Sequence, residues 1–203
     1  MQSFLEKVRL RSARLEDISE IQRIDISAGA LFDSTGLIDE GDQGQSPIPE
    51  TALRAGISND LLTLACTDEQ IIGFVLCRKT SPDLYLEQVS VRPEFGRRGV
   101  GARLVQRAIE QADALRLRGV VLSTFRDVPW NGPFYAALGF SEILNDQMKP
   151  WMRDLETLQA HSMDVSLRCF MRRPGQWDRN WLRIPAGVKP QTEQTRIAET
   201  GIS

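Results

Sequence analysis

Residues 96–101 read Gly-Arg-Arg-Gly-Val-Gly, set between a β-rich run that ends at Val91 and a strongly periodic helical stretch. A glycine-rich turn at such a junction lays successive backbone N–H groups at the N-terminus of a helix, where the aligned peptide dipoles contribute roughly half a positive charge. Arg97 and Arg98 add two cations. The combination is an anion site suited to a phosphate or pyrophosphate. Its spacing, GxxGxG, is neither GxxxxGK[ST] nor GxGxxG, so the loop by itself names no ligand. Other chemistries are poorly supplied. The single histidine, His161, lies in the polar stretch QAHSMD, away from any nucleophile motif, and reads as a loop histidine. A triad would have no other imidazole to use. Cys66, Cys77 and Cys169 are far apart, with no CxxC pair. They read as thiols of a cytoplasmic protein, neither a disulfide frame nor a zinc site, and no metal is expected.

The elements around the loop follow from periodicity. VRLRSAR, from Val8, alternates apolar and polar and reads as a strand. A helix beginning at residues 14–18 carries Ile18, Ile21, Ile24 and Ile26. Residues 32–49, rich in Gly, Asp, Ser and Pro, read as a long loop, and Glu50 to Gly56 as a short helix. LLTLACT and IIGFVLCRK, joined by Asp68-Glu69-Gln70, read as a hairpin, and residues 84–91 (LYLEQVSV) as a further strand. Between Gly99 and Arg118, Val100, Leu104, Val105, Ala108, Ile109, Ala112 and Leu115 form one apolar stripe, with Gly119 as the terminating residue. GVVLSTF reads as a strand. Asp127 then caps a short helix with Pro129 in its first turn, running to Gly139. Residues 140–144 read as a strand, 151–161 as helix or loop, and DVSLRCFMRR as the last strand. From Pro174 the chain reads as a tail whose first half Trp177 and Trp181 pin to the domain, with the last dozen residues mobile.

The strand ending in VRP, the GRRGVG loop, the next strand and the FYxxxGF of Phe134 to Phe140 together resemble the GNAT superfamily of N-acetyltransferases, over about residues 7–173. The resemblance implies an α/β fold with a central, mostly antiparallel mixed sheet whose middle strands splay apart, flanked by helices. It implies acetyl-CoA as co-substrate. Unpaired backbone groups of the strand through Val89, Ser90 and Val91 would bond the pantetheine arm as an added strand would. The pyrophosphate would fall on Gly96, Arg97, Arg98, Gly99, Val100, Gly101 and Ala102, and the Val89 N–H would serve as a one-donor oxyanion hole. Tyr135 sits where the resemblance places the general acid; its other reading is a core aromatic with a satisfied hydroxyl. Glu87, two residues before Val89 and on the face of Tyr85, is read as the base, or else as a structural carboxylate paired with an arginine. The chain departs from the family pattern in two places. Gly96 stands where Gln or Arg is frequent, and Val128 where an Asn is frequent; Asn131 instead reaches CoA or the substrate.

The implied activity is direct transfer, in a ternary complex, of an acetyl group to a primary amine of a small molecule or peptide. Transfer of another acyl group is the alternative among enzymes. A non-catalytic CoA-binding module is the alternative outside them, and the retained Tyr135 argues against it. Between Phe32 and Asp60 six acidic residues stand against Arg54, either a solvated loop or a rim that attracts cations. Trp130 lines the acceptor pocket or belongs to the core. With 203 residues, 41% of them apolar and a net charge of −2, the chain supports one packed domain and lacks the basic excess of a nucleic-acid binder. It has no apolar run long enough for a membrane span, its charged N-terminal residues do not read as a secretory leader, and a monomer or homodimer is expected.

Overall fold

The computed structural model describes residues 4–32, 35–37 and 47–181. Seven strands form one sheet: β1 (Arg9–Ser12), β2 (Leu62–Cys66), β3 (Ile71–Lys79), β4 (Leu84–Val91), β5 (Gly119–Phe125), β6 (Ser141–Glu142) and β7 (Arg168–Pro174). Their spatial order is β1-β2-β3-β4-β5-β7-β6. Every neighbouring pair is antiparallel except β4 with β5. The crossover between those two is α3 (Val100–Ala114), as a parallel pair requires.

Helices cover both faces. On one, α3 and α4 (Gly132–Ala137) pack over the largest core cluster, with Val100, Leu104, Val105 and Ala108 of α3 against Ile72, Val75, Leu84 and Leu122. On the other, α1 (Ile18–Gly29) and α2 (Glu50–Ser58) bury Ile18, Ile21, Ile24 and Leu53 against Leu62, Leu64, Phe74 and Leu76. Beside them α5 (Pro150–Gln159) sets Met152 against Tyr85, Val121 and Phe170. The buried Asp83 takes Lys149 at 2.6 Å and Arg172 at 3.0 Å, tying the start of β4 to α5 and β7.

Several element ends differ from the periodicity reading. The long helix stops at Ala114, and Arg116, at φ 56°, takes the left-handed turn expected of Gly119. Gly119 instead opens β5, where a Cβ would meet the Arg173 carbonyl oxygen at 2.4 Å. The short helix begins later than Asp127 suggested. Val128 to Asn131 close a turn that uses Pro129, Asn131 occupies the cap position, and Pro133 is the proline of the first turn. Of the 140–144 run, Ser141 and Glu142 form β6 and the Ile143 N–H still donates to the Phe170 carbonyl at 2.8 Å, and Val165–Leu167 form a 3-10 turn ahead of β7. Ile26 and Leu115 lie at the exposed edges of their stripes. Beyond Pro174 a helix, α6 (Gln176–Trp181), follows directly. Trp177 donates its indole N–H to the Asp113 carbonyl at 2.7 Å and lies under the Arg116 guanidinium. The Trp181 side chain and the last dozen residues lie outside the described residues.

Candidate active site

β4 and β5 pair only at Leu84 with Val120 and Tyr85 with Val121. Beyond Tyr85 the two strands diverge and leave a wedge-shaped cleft. The bonding phase of the β3–β4 ladder decides what β4 offers to it. The Arg92 N–H reaches the Ile72 carbonyl at 2.9 Å, and Val91 stands opposite Gly73. Antiparallel pairs alternate, so Gln88, Ser90 and Arg92 direct their peptide groups to β3, whereas those of Val89 and Val91 point into the cleft. The Ser90 hydroxyl is turned away from the loop, onto Asp25 at 3.1 Å.

A β-bulge at Glu87 changes the strand's facing. Leu76 stands opposite Gln88 and Cys77 opposite Leu86, so Glu87 has no partner. Before the bulge Leu84 and Leu86 face α3; after it Val89 and Val91 do, while Tyr85 faces α5. This corrects the two-residue periodicity that put Glu87, Val89 and Tyr85 on one face.

Two cavities meet in the cleft. The first, about 490 Å³, lies over the glycine-rich loop and is lined by Val89, Ser90, Val91, Gly96, Arg97, Gly99, Gly101 and Ala102. Among the described residues no backbone acceptor takes the N–H groups from Arg97 to Ala102, and the first helical bond of α3 is Arg103 to Gly99. Gly99 at φ 83° and Arg97 at φ 55° curl the loop so that these groups converge. The loop thus fits a phosphorylated ligand. The two arginines part company. Arg97 lines the cavity, whereas the Arg98 guanidinium lies over the rings of Phe4 and Phe95, at 5.2 and 5.7 Å. Val100 contributes backbone only, because its side chain is buried in the core. Trp130 is 42% exposed and lines this cavity, edge-on to Phe32, so it belongs neither to the core nor to the other pocket.

The second cavity, about 630 Å³, opens on the α1 and α5 side. Gln88, Val89, Asn131 and Tyr135 line both. The Tyr135 ring is buried edge-on against Phe134 and Phe140, and its hydroxyl has no hydrogen-bond partner among the described residues. Burial pushes that hydroxyl well above the ordinary tyrosine range. Tyr85, under Trp151, is pushed up to about 12 by the same cause. Glu87 is half-exposed and stands 3.6 Å from Arg78, a long, loose pair. Asp25, from α1, accepts from Gln88 at 3.0 Å, from Ser90 and from the Ile48 N–H at 3.1 Å. Burial nonetheless raises its carboxyl above the usual range. Arg168, at the start of β7, completes the ionisable lining.

The family model of the GNAT acetyltransferases matches residues 32–140, more than half of the chain. The chain belongs to this family. As a GNAT acetyltransferase it draws on acetyl-CoA. Three solved structures illustrate the shared fold. The PaiA N-acetyltransferase of Thermoplasma acidophilum, in complex with coenzyme A, superposes with a TM-score of 0.65 at 14% identity, over 82% of this chain and 98% of its own. A GNAT acetyltransferase of Staphylococcus aureus gives 0.61 at 18% identity, over 82% and 98%. The N-acetylglutamate synthase of Neisseria gonorrhoeae, complexed with coenzyme A and N-acetyl-glutamate, gives 0.60 at 16% identity, over 86% of this chain and 36% of its own. Within this GNAT chain, sequence periodicity overlooked Asp25 and Arg168. Both left a signal. Asp25 stands four residues after Ile21, an acid on an apolar stripe, and Arg168 shares a strand face with Phe170, a cation at a core-facing position.

Proposed function

We propose that this GNAT acetyltransferase moves the acetyl group of acetyl-CoA directly to a primary amine of a small molecule or peptide, within a ternary complex in the cytoplasm. The observation that carries this reading is the pair of cavities sharing Val89, Asn131 and Tyr135, one backed by free N–H groups and the other by carboxylates. No cysteine lines either cavity among the described residues, which favours direct attack over an acyl-enzyme. A structural neighbour that holds coenzyme A with N-acetyl-glutamate supports an amine as acceptor. Three free thiols support a reducing compartment, and no helix among the described residues is long and apolar enough to cross a membrane.

In this reading the cleft-facing peptide groups of Val89 and Val91 hold the pantetheine arm, and the Val89 N–H donates to the thioester oxygen as charge gathers there. The N–H groups from Arg97 to Ala102 and the Arg97 guanidinium hold the pyrophosphate, with Gly96 easing the turn; Arg98 adds charge at longer range. Asn131 orients the ligands at the junction. An ammonium must lose its proton before it attacks, and Glu87, the cavity carboxylate with the loosest partner, accepts it directly or through water. Tyr135 gives a proton to the leaving thiolate. Release of free thiol from acetyl-CoA on a panel of amino acids, polyamines and peptides tests the reading; binding of acetyl-CoA with no release on any of them overturns it.

Two substitutions test its parts. A Cβ at Gly101 would meet only Phe134 and Val91, at 3.7 and 3.9 Å, so Gly101→Asp folds with little change in Tm. It places a carboxylate among the converging N–H groups, and calorimetry is expected to give acetyl-CoA affinity at least about tenfold weaker. Glu87→Gln is expected to remove the acidic limb from the pH profile of kcat/KM, because a base must be unprotonated to act and its activity is lost as pH falls. Asp25→Asn should keep that limb. The reverse pattern would make Asp25 the base.

A further inference from the structure

Among the described residues three charged side chains line the acceptor-side cavity, and two are already matched. Asp25 has its three donors, and Glu87 has Arg78. Arg168 has no carboxylate within 4 Å among the described residues. Its Nη2 donates to the Ser123 carbonyl and hydroxyl oxygens, at 3.1 and 3.2 Å, and its guanidinium lies 4.7 Å from the centre of the Phe125 ring. Its Nε is buried with no hydrogen-bond partner, and no acceptor meets Nη1 among the described residues. These contacts fix the plane of the group and leave its charge uncompensated. Desolvation depresses its pKa, as expected for a cation removed from water without a counter-ion. The position is also apt. Arg168 stands opposite Phe125 at the open end of β5, across the cleft from β4, and its charge is felt by both Tyr85 and Tyr135.

We propose that Arg168 recognises a carboxylate on the acceptor, so that the acetylated amine belongs to an amino acid or an amino-acid-like small molecule. A half-buried guanidinium with no carboxylate partner among the described residues is unfavourable until an anion arrives, and its planar fork matches a carboxylate. With Asp25 and Glu87 in the same cavity, a monoanion is tolerated better than a phosphate dianion. The two acids would face the ammonium end and Arg168 the carboxylate end, a charge pattern that rejects a polyamine. The proposal rests on the reading of amine acetylation given above.

The test measures thiol release from acetyl-CoA with glutamine, lysine and alanine, each beside its α-carboxamide and its decarboxylated amine, and with spermidine. Wild-type protein is expected to favour at least one free carboxylate over its carboxamide by about 10–10²-fold in kcat/KM, the usual scale for a charged hydrogen-bonded contact. Arg168→Gln should erase that preference by slowing the carboxylate substrate, with the carboxamide changed by less than about threefold, and Arg168→Lys should restore part of it. Because Arg168 also holds Ser123 and Phe125, acetyl-CoA affinity and Tm are read for each variant. An equal loss on every substrate would make the residue structural and overturn the inference. Best turnover with spermidine or the decarboxylated amines would overturn it too, while leaving amine acetylation in place. If no amine releases thiol, calorimetry of N-acetyl-alanine and N-acetyl-glutamate on CoA-saturated protein decides. Binding that disappears in Arg168→Gln supports the anion site without transfer, and no binding to wild type overturns it.

Discussion

Tyr135→Phe is expected to lower kcat by about 10²–10³ while leaving acetyl-CoA affinity within error. The substitution removes one hydroxyl and keeps the ring that packs edge-on between Phe134 and Phe140. The hydroxyl is unclaimed among the described residues, so no internal partner is orphaned by its loss. Its pKa is raised by burial. The sign of that shift matters: an acid held above its ordinary range stays protonated, so Tyr135 contributes no alkaline fall in kcat across neutral and mildly basic pH. The loss in Tyr135→Phe should therefore be the same at every pH in that range. Single-turnover measurements at saturating acetyl-CoA are the check. Full activity would mean that the thiolate, with a thiol pKa near 8.5, departs unassisted and that Tyr135 is only a wall of the cleft.

Gly132→Ala is expected to damage both stability and rate. A Cβ at Gly132 would sit 2.0 Å from the Arg126 carbonyl oxygen, 2.9 Å from its carbon and 3.2 Å from the Phe125 oxygen. These are backbone atoms at the end of β5, which cannot swing aside as a side-chain tip can. The added methyl must push α4 off the sheet, at a cost of about 3 kcal/mol. For a chain of this size that lowers Tm by about 6–12 °C. Tyr135 is three residues further along the same short helix, so its hydroxyl moves with it, and kcat should fall by about 10²-fold where the misplacement approaches 1 Å. Calorimetric melting and turnover on the same preparation test the pair of effects. A normal Tm with normal turnover would show that the loop after β5 yields easily.

Much of this architecture was legible in the sequence because its physical causes are local. The stripe from Val100 to Ala112 could bury itself only as a helix, and the polar turn at Asp68 to Gln70 could only join two neighbouring apolar runs. The loop at residues 96–101 was legible because glycine spacing and positive charge sit together in the chain. What escaped depends on contacts between distant segments. Gly119 is a glycine because Arg173 passes 54 residues later, so its meaning as a close approach, and not as a helix terminator, lies outside any local window. Gly132 is a local case, closing on the Arg126 carbonyl within one turn of chain. Asp25 acquires its donors from Ile48, Gln88 and Ser90, and Arg168 has no carboxylate within 4 Å among the described residues, both properties of the assembled cleft. The bulge at Glu87 leaves no mark in composition, and two-residue counting along the strand fails across it.

That bulge also separates what the molecule needs in order to fold from what it needs in order to turn a substrate over. The residues before and after it are committed to core layers on the two sides of the sheet, whereas position 87 belongs to no rung of the ladder. A change of side chain there alters the lining of the acceptor pocket without disturbing a packed neighbour. A substitution at position 87 can therefore change how the acceptor amine is activated with little loss of stability, while the strand around it stays fixed.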